Sequence, residues 1–305
     1  MQVNKSLQND KLMRYIKFVF LLIIFSCNEK KSATVVVQTD FGQKDGAVAA
    51  MKGVALNVSG ALNIFDLTHE IPAYNIWEAA YRLQQVYPYW PEGTVFVSVV
   101  DPGVGTERES VVAKTHSGKF IVTPDNGTLT LVDDIESIRL IDETINRREG
   151  SMNSHTFHGR DVYMYTAAKL ASGEIKFEDV GKPVDRAAVK IPYQRASIKN
   201  KEIHGNIPVL DVQYGNVWTN IPDSMILHAG IQLNDTIYIQ ISNQDSVVAN
   251  LRAPFVKSFG SVDEGNLMSY INSLGNFAIA INMCDLAKAY KIHSGPGWTI
   301  RLSKR

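Results

Sequence analysis

The 305-residue chain has only two cysteines, Cys27 and Cys284, and no excess of either charge, with 31 Lys and Arg against 31 Asp and Glu. Two cysteines cannot build a disulfide framework or a cysteine-rich zinc site. Balanced charge excludes a polybasic nucleic-acid binder. Internal repeats and low-complexity tracts are missing too, and hydrophobic residues make up 45%. That is ordinary globular usage, which excludes a disordered or collagen-like chain. The longest uninterrupted apolar run is Phe18–Phe25, shorter than the roughly 20 residues a spanning helix needs. What remains is a globular chain long enough for about two domains and a sizeable core without covalent staples.

Lys5, Lys11, Arg14 and Lys17 precede the apolar run. A basic stretch followed by a short apolar one has the pattern of a secretory signal. Ser26-Cys27 closes the run and resembles the bacterial lipobox, whose cysteine is acylated and becomes the new N-terminus. Phe25 stands where that pattern prefers a smaller residue. Residues 1–26 are therefore expected to be a lipoprotein signal peptide, Cys27 the lipidation site and residues 27–33 a polar tether. The expected location is the bacterial cell envelope, lipid-anchored. Loss of the leader leaves a slightly acidic chain, so the lipid is the only expected membrane contact.

The body divides by its periodicity. Thr34–Thr39 (TVVVQT), Ile64–Leu67 and Val95–Val100 (VFVSVV) read as buried strands. Ala47–Val58 and the segment Tyr74–Tyr87, with Ile76, Ala80, Leu83 and Val86 at helical spacing, read as helices between them. Val111–Lys114 and Phe120–Thr123 read as a strand pair joined at His116-Ser-Gly118, and Arg160–Ala171 as a helix ending at Gly173. Strands alternating with helices predict a Rossmann-like α/β domain over 34–195, its largely parallel sheet covered on both faces. Ligands on such sheets gather beyond the carboxyl ends of the strands, where Asp40 and Asp101 fall. From 196 to 305 short strand-like runs follow one another, with one helical turn at Asp285–Tyr290. They predict a small all-β barrel or sandwich, with the boundary near Pro192–Lys201.

Four blocks occur in order: Thr39-Asp-Phe-Gly with Asp45; Val100-Asp-Pro-Gly-Val-Gly-Thr-Glu-Arg108; Thr156-Phe-His-Gly-Arg-Asp161; and Asp211-Val-Gln-Tyr-Gly-Asn-Val-Trp-Thr-Asn220. Together they resemble the S-adenosyl-L-methionine (SAM) hydroxide adenosyltransferases, the adenosine-forming SAM hydrolases related to the SAM-dependent fluorinase and chlorinase. The resemblance covers nearly all of residues 34–303. It implies hydrolysis of SAM to adenosine and L-methionine by attack of water or hydroxide at C5′. SAM is then the substrate, and no cofactor or metal is implied.

By motif match, the activating triad of that family falls on Asp101, Arg108 and His158. Asp101 would accept or orient the proton of the water. Arg108 would keep that carboxylate ionised, since a neighbouring cation lowers a carboxylate pKa by about 1–3 units. His158 would be a second proton handler. The resemblance further implies that Asp40 takes the ribose hydroxyls and that Asp45 and Asp211 meet the methionine ammonium. Asn216, beside Tyr214, would pair with adenine, Tyr74 would pack on the ribose, Phe157 would flank the reacting carbon, and Ser273 would contact the methionine end. Gly159 stands where the fluorinase type would carry a fluoride-binding serine, and Leu274 where the halogenases carry arginine. The family's homotrimeric arrangement implies sites built between subunits.

Two other enzymatic readings and one non-enzymatic reading compete. A chlorinase would make 5′-chloro-5′-deoxyadenosine at a rate that climbs with chloride. A zinc hydrolase would use His155, His158 and Asp161, a set with no firm third ligand. A lipoprotein that binds SAM or a nucleoside without turnover would keep the fold and lose the chemistry. Each of Asp101, Arg108 and His158 alone could serve as a turn, surface or loop residue; their joint spacing favours the enzyme.

Overall fold

The computed structural model describes residues 33–304 apart from Asp245. The leader and Cys27 lie outside the described residues. Among the described residues no helix is long and apolar enough to cross a membrane.

The N-terminal part is built on strands β1 (Thr34–Thr39), β2 (Asn63–Thr68), β3 (Val95–Val99), β4 (Ser110–Thr115), β5 (Phe120–Pro124) and β6 (Ile135–Leu140). They form one sheet in the order β2-β1-β3-β5-β4-β6. The first four strands in that order are mutually parallel, and β4 runs antiparallel to both β5 and β6. The β4–β5 hairpin is the pair expected around His116-Ser-Gly118. β6 was not foreseen, because Ile135–Leu140 carries Glu136 and Arg139 on a strand at the sheet edge.

β1 is buried along its whole length. Successive side chains alternate between faces, so Val35 and Val37 pack beneath helices α1 (Ala47–Val58) and α3 (Tyr165–Ser172), whereas Val36 packs with Leu83 of α2 (Ile76–Val86). Two separate apolar layers therefore cover the two faces. α2 begins where Asn75 accepts from the Glu78 N–H, a side-chain cap that supplies one of the unpaired donors of the first turn. The segment expected to be an α-helix from Arg160 begins instead as a π-helical turn, Gly159–Met164, and becomes α-helical at Tyr165. Such turns are common at functional sites, and this one lies directly behind the pocket.

The C-terminal part carries β7 (Ser197–Lys199), β8 (Glu202–Asn206), β9 (Val209–Leu210), β10 (Val217–Pro222), β11 (Thr236–Asn243), β12 (Ser246–Pro254), β13 (Leu267–Ile271), β14 (Asn276–Ile281) and β15 (Trp298–Lys304). They form two antiparallel sheets, β12-β11-β15-β8-β7 and β13-β14-β10-β9. One apolar cluster joins both sheets, from Ile203 and Ile239 to Phe277 and Leu302. Two short helices accompany them, α4 (Asp223–His228) and α5 (Leu286–Tyr290). α5 is the expected turn near Asp285–Tyr290; α4 was not expected. Trp77 of α2 links the two parts, its Nε1 donating to the Pro208 carbonyl at 2.9 Å; Tyr193, near the boundary, has its ring 5.2 Å from that of Trp77.

Candidate active site

The chain continues from β1 to β2 on one side and reaches β3 on the other. The crevice beyond the carboxyl ends of β1 and β3 is thus a topological switch point, the usual ligand position of an open α/β sheet. Thr39 pairs with Val99 at those ends, which sets Asp40 and Asp101 on neighbouring loops. A pocket of about 260 Å³ opens there, and Asp40, Tyr74, Asp101, Phe157, His158 and Gly159 contribute to its wall.

Asp101 is almost fully buried, with a side chain 5% exposed. Its Oδ2 accepts a close hydrogen bond from Arg108 Nη2 and another from Tyr163 Oη at 3.1 Å. Its Oδ1 has no partner. Tyr163 is fully buried, and its hydroxyl in turn accepts from Ser110 Oγ at 3.1 Å. The expectation that Arg108 governs this carboxylate needs correction. Burial pushes the Asp101 pKa up, and that outweighs the lowering by Arg108, Tyr163 and His158. The net direction is a rise, with burial as its main cause.

His158 is buried as well. Its Nε2 receives Arg147 Nη2 at 3.0 Å, and its Nδ1 is unpartnered. Burial pushes its pKa down; Arg147 and Arg108 add to that, against the opposing pull of Glu143 and Asp101. Two buried polar atoms, Asp101 Oδ1 and His158 Nδ1, are thus left unsatisfied on residues that line one pocket. Buried polar groups are nearly always paired, so such orphans point to a ligand.

Asp40 is held by the Tyr74 N–H, which donates to Oδ2 at 2.9 Å. Tyr74 adopts a left-handed conformation with φ 68° and is 72% exposed. A non-glycine residue held there carries strain of the kind found at ligand sites. Behind Asp40, Thr39 Oγ1 lies 2.8 Å from His69 Nδ1, and His69 Nε2 lies 2.9 Å from Asp66. This chain of contacts fixes the end of β1.

The remaining expected residues lie elsewhere. Asp211, Tyr214, Asn216 and Ser273 line a second cavity of about 640 Å³ in the C-terminal part, with Trp218, Tyr270 and Asn272. Asn216 Nδ2 donates to Asp211 Oδ2 at 3.2 Å. Gly215 is left-handed with φ 68°, and a Cβ there would sit 1.9 Å from Asp285 Oδ1, the N-cap of α5. Only glycine fits that turn. Asp45 lines neither cavity; its Oδ1 accepts from the Ala47 N–H at the start of α1. The two cavities have no lining residue in common. Asp161, considered above as a metal ligand, is fully buried and has both oxygens engaged by Arg148 and Arg160. Beside Leu274, Asn272 Oδ1 accepts from the Leu274 and Asn276 N–H groups, and its Nδ2 is unpartnered.

Sequence reasoning missed Tyr163, Ser110 and Arg147. Tyr163 lies in the π-helical turn Gly159–Met164 and reaches Asp101, far away in the sequence.

An α/β sheet with a carboxylate-bearing switch point, followed by antiparallel sheets that carry a second cavity, defines a two-part small-molecule protein. The chain belongs to the SAM hydroxide adenosyltransferase family: residues 35–181 match its N-terminal domain and residues 205–299 its C-terminal domain. It is 36% identical to the (R)-S-adenosyl-L-methionine hydrolase of Methanocaldococcus jannaschii, across 85% of this chain and 92% of that one. A protein of the same name from Thermus thermophilus is 32% identical, with 84% and 95% covered. A fluorinase from Actinoplanes sp. is 26% identical, with 86% and 95% covered. Among solved structures, an uncharacterized conserved protein from Thermotoga maritima superposes with a TM-score of 0.80 at 30% identity, covering 88% of this chain and all of that one.

Proposed function

We propose that this protein hydrolyses SAM to adenosine and L-methionine by attack of water at C5′. The observation that carries the reading is the setting of Asp101: Oδ2 is fixed by Arg108 and Tyr163, while Oδ1 is buried and unpartnered in a residue that shares its pocket with His158. A water held at Oδ1 gives up a proton to it as its oxygen bonds to C5′. The C5′–S bond breaks, and its electron pair stays on sulfur, which leaves as a neutral thioether. A sulfonium is already a good leaving group, so no acid is needed there. The task is to orient a weak nucleophile in line and keep competing solvent out. Asp40 would accept from the ribose hydroxyls, Tyr74 would cover the sugar and Phe157 would flank the reacting carbon.

Gly159 speaks against fluoride chemistry and is compatible with chloride; the Asp101, Arg108 and His158 set favours water. A Cβ there would lie 3.3 Å from the Phe41 ring and 3.4 Å from Val99, so a serine side chain would crowd the pocket. The hydrolases among the relatives are named for the (R) form, which makes the (R) epimer a candidate substrate to be tested beside the (S) form.

The reading extends to assembly and location. Asp211, Tyr214, Asn216 and Ser273 lie in a cavity with no wall in common with that of Asp101. This supports a homotrimer in which the C-terminal part of one subunit completes the pocket of the next; Asp45 would meet the methionine ammonium only in that assembled site. Closed cyclic symmetry suits such a head-to-tail contact. The working units are residues 34–195 and 196–305. The basic and apolar leader ending at Cys27 supports a lipid anchor in the cell envelope.

The test is incubation of residues 34–305 with each SAM epimer in oxygen-18 water, with and without chloride. Adenosine carrying the label at its 5′-hydroxyl, independent of chloride, is expected. Chloroadenosine would move the protein to the halogenases. SAM binding without product would leave a binding lipoprotein. Asp101→Ala should cut turnover by about 10²–10⁴ and leave SAM binding nearly intact; loss of binding alone would overturn the assignment of Asp101.

A further inference from the structure

Arg147 has a place in the site that the triad does not explain. Its side chain is only 5% exposed. Nε and Nη2 engage Glu143 Oε2, Nη1 donates to the carbonyls of Ser151 at 3.3 Å and Ser154 at 3.0 Å, and Nη2 also faces His158 Nε2 at 3.0 Å. A guanidinium has donors and no acceptor, and it keeps its proton. His158 Nε2 must therefore be the acceptor, and the one ring proton must sit on Nδ1. A doubly protonated ring would set N–H against N–H. Which nitrogen of a histidine carries the proton is set by the bond the other makes.

We propose that Arg147 is a positioning residue that holds His158 in its Nδ1–H tautomer, so that His158 serves the reacting water as a hydrogen-bond donor and Asp101 Oδ1 alone takes the proton. The two orphaned atoms of the pocket are then complementary, one donor and one acceptor. A water between them accepts from Nδ1–H with one lone pair and donates a proton to Oδ1. Its second lone pair is left for C5′. If the imidazole were a second acceptor, nothing would fix the direction of the attacking lone pair. The charged groups facing the ring are Glu143, Arg147, Arg108 and Asp101, and with burial their balance favours the neutral ring. The proton passes from water to Asp101 and then to solvent, never to the imidazole.

The activity arm of the test rests on the hydrolase reading; the spectroscopic arm does not. In ¹⁵N-labelled protein, long-range proton–nitrogen spectra report which ring nitrogen is protonated, with His158 assigned by its disappearance in His158→Asn. The expected pattern at neutral pH is protonated Nδ1 and bare Nε2. Arg147→Met should release the ring into a mixture of tautomers, and Arg147→Lys should restore part of the Nδ1–H form. A wild-type ring that is Nε2–H or doubly protonated overturns the proposal, whatever the variants do.

In the activity arm, an asparagine amide nitrogen falls near the place of Nδ1 and can donate but not titrate. His158→Asn should turn over SAM at least about tenfold faster than His158→Ala, because a donor aimed at the reacting oxygen is kept. Equal rates would refute the donor role. An Nδ1–H ring in a protein that leaves SAM untouched would refute the proposed function and keep the tautomer.

Discussion

Tyr163→Phe removes one hydroxyl from a fully buried ring and tests how Asp101 is tuned. The lost bond is the 3.1 Å contact to Asp101 Oδ2. A hydrogen bond to a charged group contributes about 1.5–3 kcal/mol. The lower end applies, because Arg108 still holds the same oxygen. The bond favours the ionised carboxylate, so its loss moves the Asp101 pKa further up. About 1.4 kcal/mol is a tenfold change in an ionisation equilibrium. On the acid side of the pH profile, kcat/KM of the variant should therefore fall about tenfold below wild type. On the plateau of the profile, where Oδ1 is untouched, the two should differ by a small factor only. Ser110 Oγ loses the acceptor of its hydrogen, and Arg108 Nη1 at 3.5 Å can only donate to it, so a stability cost accompanies the change. The assay is the pH dependence of adenosine release, with a denaturation curve to confirm the fold. An acid limb that stays put or moves to lower pH would refute the tuning argument. Collapse of the plateau would put the tyrosine itself in the proton path.

Asp161→Asn breaks a buried carboxylate away from Arg148 and Arg160 and should cost about 3 kcal/mol, the low end for a broken buried pair, since both arginines are partly exposed. Burial opposes ionisation of Asp161, but the hydrogen bonds from Arg160 and Arg148 win and hold its pKa down. Its stabilisation is thus present at neutral pH and lost as pH falls through that depressed value, so wild type and variant should converge in acid denaturation. Gly159→Ser should displace the Phe41 ring and lower adenosine formation without making it chloride-dependent; a gain of chloride-dependent product would show that the pocket accepts halide. Mixing inactive Asp101→Ala with inactive Asn216→Ala should restore activity after subunit exchange, because some sites would then combine two intact halves. Activity that stays absent in mixed oligomers shown by mass to have formed would refute sites built between subunits.

Much of the fold was legible because it depends on local pattern. The runs TVVVQT and VFVSVV could only be doubly buried strands, and the two aspartates after them marked the ligand end of the sheet. The elements missed were those with weak local pattern. β6 alternates poorly, and α4 is only a turn and a half between Pro222 and Ala229. The triad was legible because its members sit in contiguous blocks. Its supporting shell was not: Arg147 reaches His158 across a loop, and Tyr163 reaches Asp101 across 62 residues of chain. The direction of the Asp101 shift was also out of reach. A sequence shows the arginine beside a carboxylate but not the depth at which both are buried, and here depth decides the sign.

That sign bears on how the site can work. A carboxylate held ionised by an exposed arginine would orient a water but barely compete for its proton. Taken out of solvent with one oxygen saturated by Arg108 and Tyr163, Asp101 keeps its geometry while burial pushes its pKa up. The neighbouring histidine is pushed the opposite way, towards the neutral ring. Burial thus favours the neutral form of both groups and brings their pKa values towards each other, so the division between an acceptor and a donor rests on the bonds that fix Asp101 Oδ2 and face His158 Nε2. The arrangement asks nothing of the leaving group, and that suits a substrate whose sulfur already carries the positive charge.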